Sequence, residues 1–263
     1  MDLQLSGKTA VVTGGSKGIG LAVVRLLIEE GVRVVAASRR PTPELKETGA
    51  THVAVDLSTA EGTAELADRA LRELGGIDLL INNVGVGDTE DMVQGAVTSL
   101  LDLPDDAWRH SLDLHFFSAL RLSRAVLPSL VERRGTIVNV SSIGARLVGG
   151  GPIDYNVAKA ALNALTKVVA EQYGDRGVRA VTVSPGPVST GVWTDPDGFI
   201  ARVAREQGLT HEGLVEQLKE RMGASTGRLS TPEEVARLIV FAAAPNNITG
   251  ADLLVDGGIV KSA

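Results

Sequence analysis

Tyr155 and Lys159 stand four residues apart, and Ser142 lies 13 residues before the tyrosine. A phenol can give a proton to a carbonyl oxygen or take one from an alcohol. Its ordinary pKa of about 10 makes it a poor acid-base near neutrality. A lysine one helical turn later projects from the same helix face, and its cation favours the phenolate. A serine hydroxyl at the end of a strand can hydrogen-bond a substrate oxygen and the charge that develops on it. Together these groups could run the proton half of a carbonyl reduction or alcohol oxidation. Glycines 149–151 let the chain turn from the serine back into the tyrosine helix. Ser141 reads as structural. The same residues could equally be two surface groups and a strand-end cap, so the surroundings must decide.

The hydride half of such a reaction needs a dinucleotide. The stretch "TGGSKGIG" (13–20) places Gly14, Gly18 and Gly20 at spacing G-x-x-x-G-x-G, with Ser16, Lys17 and Ile19 between them. It lies between an expected strand and an expected helix. Glycine lets the backbone turn tightly and approach a pyrophosphate, and the helix N-terminus presents unpaired N–H groups and a positive dipole end. A bare tight turn is the alternative. Cofactors with a free ribose 2′-hydroxyl usually meet an acid at the end of the second strand. Here Ser38 holds that place, followed by Arg39 and Arg40. Cations without a carboxylate suit a 2′-phosphate, which favours NADP(H) over NAD(H). Lys17, Arg39 and Arg40 read otherwise as solvated surface charges.

These motifs must be carried by a frame. Short β-branched runs at 9–13, 32–38, 51–57, 77–83, 135–142, 178–184 and 251–257 read as strands. Helical stretches near 19–30, 60–74, 106–131 and 152–173 separate them, and Gly31 suits the first helix's C-terminal stop. Nearly all-apolar strands alternating with helices imply an α/β fold: a doubly wound parallel sheet covered on both faces, with ligands outside the carboxyl ends of its strands. No linker or repeat divides the chain, so residues 1–263 read as one domain.

Bulk properties narrow the class. Apolar residues make up 44% and charged residues 22% of the 263, and the net charge of −6 argues against nucleic acid as a partner. There is no cysteine for thiol chemistry, and the four histidines show no metal-ligand spacing. "MDLQLSGKTAVV" lacks the pattern of a secretory signal, and no apolar run is long enough to span a bilayer. A soluble cytoplasmic protein without membrane partners is expected.

With these motifs in place, the chain resembles the short-chain dehydrogenase/reductase family over nearly its whole length. "TGGSKGIG", "NNVG" (82–85), the Ser142, Tyr155 and Lys159 set, "SPGPVST" (184–190) and "VDGG" (255–258) carry the resemblance. It implies a Rossmann fold of about seven strands and an oxidoreductase acting on a small-molecule carbonyl or alcohol. It implies that Asp56, with Leu57, contacts the adenine. Asn82, Asn83 and Gly85 line the adenosine pocket. Pro185, Gly186 and Val188 border the nicotinamide, and Thr190 holds its carboxamide. It also implies a homo-oligomer, a tetramer or dimer.

One position departs from the pattern. The family's fourth catalytic residue is an asparagine in the long helix, and "WRHSLDLHFFSAL" (108–120) puts His115 there. Histidine titrates near pH 6.5 and both donates and accepts hydrogen bonds. It can stand in a proton relay, weaken it, or simply pack. Two segments are expected to shape the substrate site: residues 84–104, and residues 191–226, which read as one or two amphipathic helices forming a lid with Trp193, Phe199 and Met222 inside. A surface insertion is the alternative for the latter. No positive cluster there demands an acidic substrate, so a medium-sized, partly apolar ketone or alcohol is expected. Two other functions stay open: an NAD-linked alcohol dehydrogenase, and a dinucleotide-binding protein without catalysis.

Overall fold

The structure, a computed structural model, describes residues 2–85, 99–147 and 151–261. Its frame is one sheet. Strands β1 (Thr9–Thr13), β2 (Arg33–Ser38), β3 (Thr51–Ala54), β4 (Leu79–Asn82), β5 (Thr136–Val140), β6 (Arg179–Pro185) and β7 (Asp252–Val255) run in the order β3-β2-β1-β4-β5-β6-β7. Every pairing is parallel. The chain winds outward in one direction to β3, then restarts at β4 on the other side of β1. That reversal opens a crevice above the carboxyl ends of β1 and β4.

All five residues of β1 are buried, and so are all five of β5. The pleat explains why such strands are apolar throughout. Val12, Ala36, Ile81, Val138 and Val181 point to one face; Val11, Val35, Leu80 and Ile137 point to the other. Helices α1 (Gly18–Glu29) and α10 (Pro232–Ala243) cover the first face through Val23, Leu27, Val235 and Ile239. Helices α3 (Ala60–Leu74), α5 (Ser118–Arg133) and α6 (Ile153–Tyr173) cover the second through Leu66, Leu122, Val126 and Val169. A short α2 (Pro43–Glu47) precedes β3.

The expected strands and helices are present, mostly with shorter strands. Helix α3 spans the predicted 60–74 and ends on Gly75 at φ +69°. Gly31 ends α1 at φ +77°, its N–H donating to the Ile28 carbonyl at 2.9 Å. The pattern did not yield α10, although its start carries a full capping box: the Thr231 hydroxyl accepts from the Glu234 N–H, and the Glu234 carboxylate accepts from the Thr231 N–H.

Two further differences bear on the site. The predicted long helix is interrupted: α4 (Asp105–Leu112) passes into a single π-helical turn, Asp113–Phe117, before α5 resumes. Such turns widen a helix locally and often sit at functional sites. The segment after β6 forms three helices, α7 (Gly191–Thr194), α8 (Phe199–Glu206) and α9 (His211–Met222). Phe199, Ile200, Val203, Ala204 and Leu214 give α8 and α9 a small core of their own, and Tyr155, Trp193 and Leu218 pack against it. Among the described residues no helix is long and apolar enough to cross a membrane.

Candidate active site

A cleft of about 1510 Å³ opens at the carboxyl edge of the sheet, and the predicted motifs line it. At its floor the glycine loop leaves β1 and enters α1. Gly14 has φ +66°, a region that L side chains rarely adopt. A Cβ on Gly20 would lie 2.1 Å from the Gly14 carbonyl oxygen, so the first turn of α1 can only close on the loop if position 20 is glycine. The loop is also fixed from the side. The Asn83 amide donates to the carbonyls of Thr13 and Gly14 at 2.9 and 3.3 Å, and the Thr13 hydroxyl accepts from the N–H groups of Asn83 and Val84, both at 2.9 Å. The cradle left above it, lined by Ser16, Lys17, Gly18 and Ile19 at the start of α1, fits a pyrophosphate.

Ser38, Arg39, Arg40, Asp56 and Leu57 line the far end of the cleft. The Ser38 hydroxyl donates to the Arg40 carbonyl at 2.8 Å and lies 2.9 Å from His52 Nε2. Ser38 therefore shapes the turn that presents the two arginines. The Asp56 carboxylate accepts from the Ser58 N–H and hydroxyl at 3.0 and 2.8 Å. The Ser58 bonds, helped by Arg39, hold it below the usual carboxylate range.

Asn82 departs from its expected place. Its side chain points into the sheet core, where its amide donates to Asn139 Oδ1 at 2.8 Å and Ser123 Oγ at 3.2 Å. It does not line the cleft; Asn83 and Gly85 do. The reason is the pleat: successive residues of a strand face opposite ways.

At the other end of the cleft, β5 delivers Ser142, which caps a one-turn 3-10 helix (Ile143–Ala145) and accepts from the Gly144 N–H at 3.0 Å. The hydroxyl is hydrogen-bonded to Tyr155. Lys159, one turn along α6, is 1% exposed. Its ammonium donates to the Val140 carbonyl at 2.8 Å and stands 5.6 Å from the centre of the Tyr155 ring. Burial pushes the Tyr155 phenol up to about 12, with the Ser142 bond opposing, and pushes Lys159 down to about 7. Tyr155 thus rests as the neutral acid, while Lys159 titrates in the middle of the ordinary pH range.

His115 enters from the π-helical turn. It is 2% exposed and meets the Tyr155 ring edge to face. Burial holds its pKa well below the ordinary value, with Lys159 adding to the effect. It therefore does not titrate near pH 6.5, as its residue type led one to expect. Its Nδ1 is buried without a hydrogen-bond partner among the described residues.

Pro185, Gly186, Val188 and Thr190 complete the wall between Tyr155 and the glycine loop. Thr190 leans over Gly18: a Cβ there would meet the threonine methyl at 3.2 Å. Trp193, Phe199 and Met222 line the cleft as anticipated. So do Gln217 and Arg221 of α9, which the sequence reading passed over; the spacing of Leu214, Gln217, Leu218, Arg221 and Met222 was the available signal. Arg146 and Asp252 were also missed. The guanidinium donates to Asp252 Oδ2 at 3.0 Å through Nε and lies 2.9 Å away through its terminal nitrogen. Asp252 also accepts from the Ser184 hydroxyl at 2.6 Å and the Asn163 amide at 3.3 Å. One carboxylate at the start of β7 thereby joins the Ser142 loop, the Lys159 helix and the strand before Pro185. Of the two expected substrate-shaping segments, residues 86–98 lie outside the described residues, as do glycines 149 and 150 of the turn after Ser142.

Comparison with known proteins places this arrangement. A family profile described as enoyl-(acyl carrier protein) reductase matches residues 14–260. A 3-oxoacyl-[acyl-carrier-protein] reductase from Vibrio cholerae is 30% identical over 266 residues, covering 98% of this chain and 99% of its own. An L-fucose dehydrogenase from Bos taurus is 28% identical, covering 98% of this chain and 91% of its own. Among solved structures, the L-sorbose reductase of Gluconobacter frateurii complexed with NADPH and L-sorbose superposes with a TM-score of 0.87 at 30% identity, over the full length of both chains.

Proposed function

The chain belongs to the short-chain dehydrogenase/reductase family of oxidoreductases, and on that footing we propose that it moves hydride between NADP(H) and a ketone or secondary alcohol, with Tyr155 handling the proton. The observation that carries this reading is the grouping of Ser142, Tyr155 and Lys159 on one wall of the cleft whose floor is the glycine loop.

The residues fit a dinucleotide: the Gly14–Gly20 cradle would take the pyrophosphate, and Lys17, Arg39 and Arg40 would take a 2′-phosphate. The bound dinucleotide would supply or receive the hydride beside Pro185, Gly186, Val188 and Thr190. In the reducing direction the Tyr155 hydroxyl donates its proton to the substrate oxygen. Ser142 holds that oxygen and keeps a hydrogen bond on the phenolate left behind. The Lys159 ammonium, fixed to the Val140 carbonyl, stabilises that phenolate from below the ring. His115 braces the tyrosine ring. Helices α7–α9 close the substrate side as a lid, with an apolar interior suited to a partly apolar substrate. NADP(H) over NAD(H) is supported by Arg39 and Arg40 at the end of β2 and by the NADPH complex of the sorbose reductase.

The test is turnover of a ketone panel with NADPH and NADH. Reduction of at least one ketone, lost by about 10²-fold or more in Tyr155→Phe with dinucleotide binding retained, is the expected result. A Tyr155→Phe variant as active as the parent would end the proposal.

A further inference from the structure

The cleft is far more positive than the protein that contains it. The chain carries a net charge of −6. Among the described residues lining the cleft, Lys17, Arg39, Arg40, Lys159 and Arg221 are cationic, and Asp56 is the one carboxylate. Lys17, Arg39 and Arg40 belong, with Asp56, to the glycine-loop end, and Lys159 serves Tyr155. Arg221 is left over. It stands on α9, and nothing in the proposed handling of hydride and proton uses it.

Its placement is specific. Leu214, Gln217, Leu218, Arg221 and Met222 all line the cleft, at spacings of three and four residues. Those spacings define one face of a helix, so α9 turns a single stripe toward the cleft. Leu218, one turn before Arg221, packs against the same small core as Tyr155 and Trp193. The stripe therefore sets an amide and a guanidinium among the apolar Leu214, Leu218 and Met222. Among the described residues no carboxylate forms an ion pair with Arg221, whereas Arg205 on the neighbouring α8 lies 3.8 Å from Asp197.

We infer that the substrate has an apolar body ending in an anionic group, a carboxylate or a phosphate, and that Arg221, with Gln217 beside it, receives that group. This rests on the carbonyl-reductase reading above and deepens it. The sequence shows no positive cluster in this segment that would demand an acidic substrate, and Arg221 is a single cation. A single guanidinium at the exposed rim of the cleft can nevertheless serve as the partner, because it forks onto two oxygens.

The experiment compares a keto carboxylate, its methyl ester and the corresponding keto phosphate as substrates of the intact protein with NADPH. A second readout is calorimetric affinity for the same three compounds without turnover. The expected result is a preference of about tenfold or more for one anion over the ester in both kcat/KM and affinity, falling about tenfold in Arg221→Ala and partly kept in Arg221→Lys. Comparison of the two anions tells carboxylate from phosphate. Equal treatment of ester and anions by the parent protein overturns the inference, as does an Arg221→Ala variant with an unchanged preference or with weakened dinucleotide affinity instead. If neutral ketones are reduced while the anions are refused, only this inference falls. If no ketone is reduced at all, the reading beneath it falls as well.

Discussion

The His115 imidazole meets the Tyr155 ring edge to face, with 5.0 Å between centroids and 88° between planes. This contact gives the histidine a role that needs no proton of its own. Burial keeps it neutral across the working range. His115→Asn is expected to keep activity within about tenfold, because a small amide can still brace the turn. The smaller side chain lets water approach Lys159, whose low pKa comes from burial. The Lys159-dependent limb of the pH–rate profile should therefore move upward from about 7. An unmoved limb would show that His115 does not set the lysine's surroundings.

Lys159 should cost the fold stability. In the native state it releases its proton near 7, and in the unfolded chain near 10.5. Between those values the unfolded chain binds more protons, so stability rises with pH through that window and the penalty is complete below it. Each tenfold loss of proton affinity corresponds to about 1.4 kcal/mol. Lys159→Met is expected to abolish turnover and to raise stability at neutral pH by about 2 kcal/mol or more, flattening the pH dependence of the denaturant midpoint. A destabilised variant would contradict this.

Ser38 and Arg39 should decide the dinucleotide. Ser38→Asp places a carboxylate where a free 2′-hydroxyl could be held and beside Arg39, which it partly neutralises. Fluorescence titration is expected to show NADPH affinity falling about tenfold or more and NADH affinity rising. Arg39→Ala should lower NADPH affinity with little effect on NADH. Equal changes for both dinucleotides would make these residues ordinary surface groups.

The Arg146–Asp252 pair should matter to rate as well as stability. Asp252→Ala leaves the buried Ser184 hydroxyl without its acceptor and releases the exposed Arg146 guanidinium, a loss of about 1–3 kcal/mol in denaturant unfolding that comes mainly from Ser184. Asp252→Asn keeps an acceptor for Ser184 and should lose less. Because the carboxylate joins the segments that carry Ser142, Lys159 and Pro185, kcat is expected to fall more than substrate KM rises. A pure stability change with unaltered kcat at low temperature would reduce the pair to a surface tie.

Much of this molecule could be read along the chain. The parallel sheet was legible because its strands are apolar on both sides, and a run such as "TAVVT" has few other uses. The glycine loop and the Ser142, Tyr155 and Lys159 set were legible because their chemistry fixes both residue type and spacing. What escaped did so for local reasons. The run that ends α10, "LIVFAA", is as short and as apolar as a buried strand, so periodicity alone did not mark it as a helix. The π-helical turn around His115 adds one residue to a helix that looks regular in sequence. Asn82 and Asn83 are the same residue type side by side, and only the strand's pleat sends the first into the core and the second to the glycine loop.

The chain by itself determined the fold class and set the spacing of the glycine loop and of Ser142, Tyr155 and Lys159, because each follows from periodicity or from short-range pattern. Tertiary structure alone decided the state of those groups. Tyr155 rests near 12 and Lys159 near 7 because of what buries them. The meeting of Asp252 with Arg146 and Asn163 spans 106 and 89 residues of chain. Arg221 belongs to the cleft only because three short helices fold back over it. Burial and long-range contact depend on where distant segments come to lie, and no local pattern carries that information.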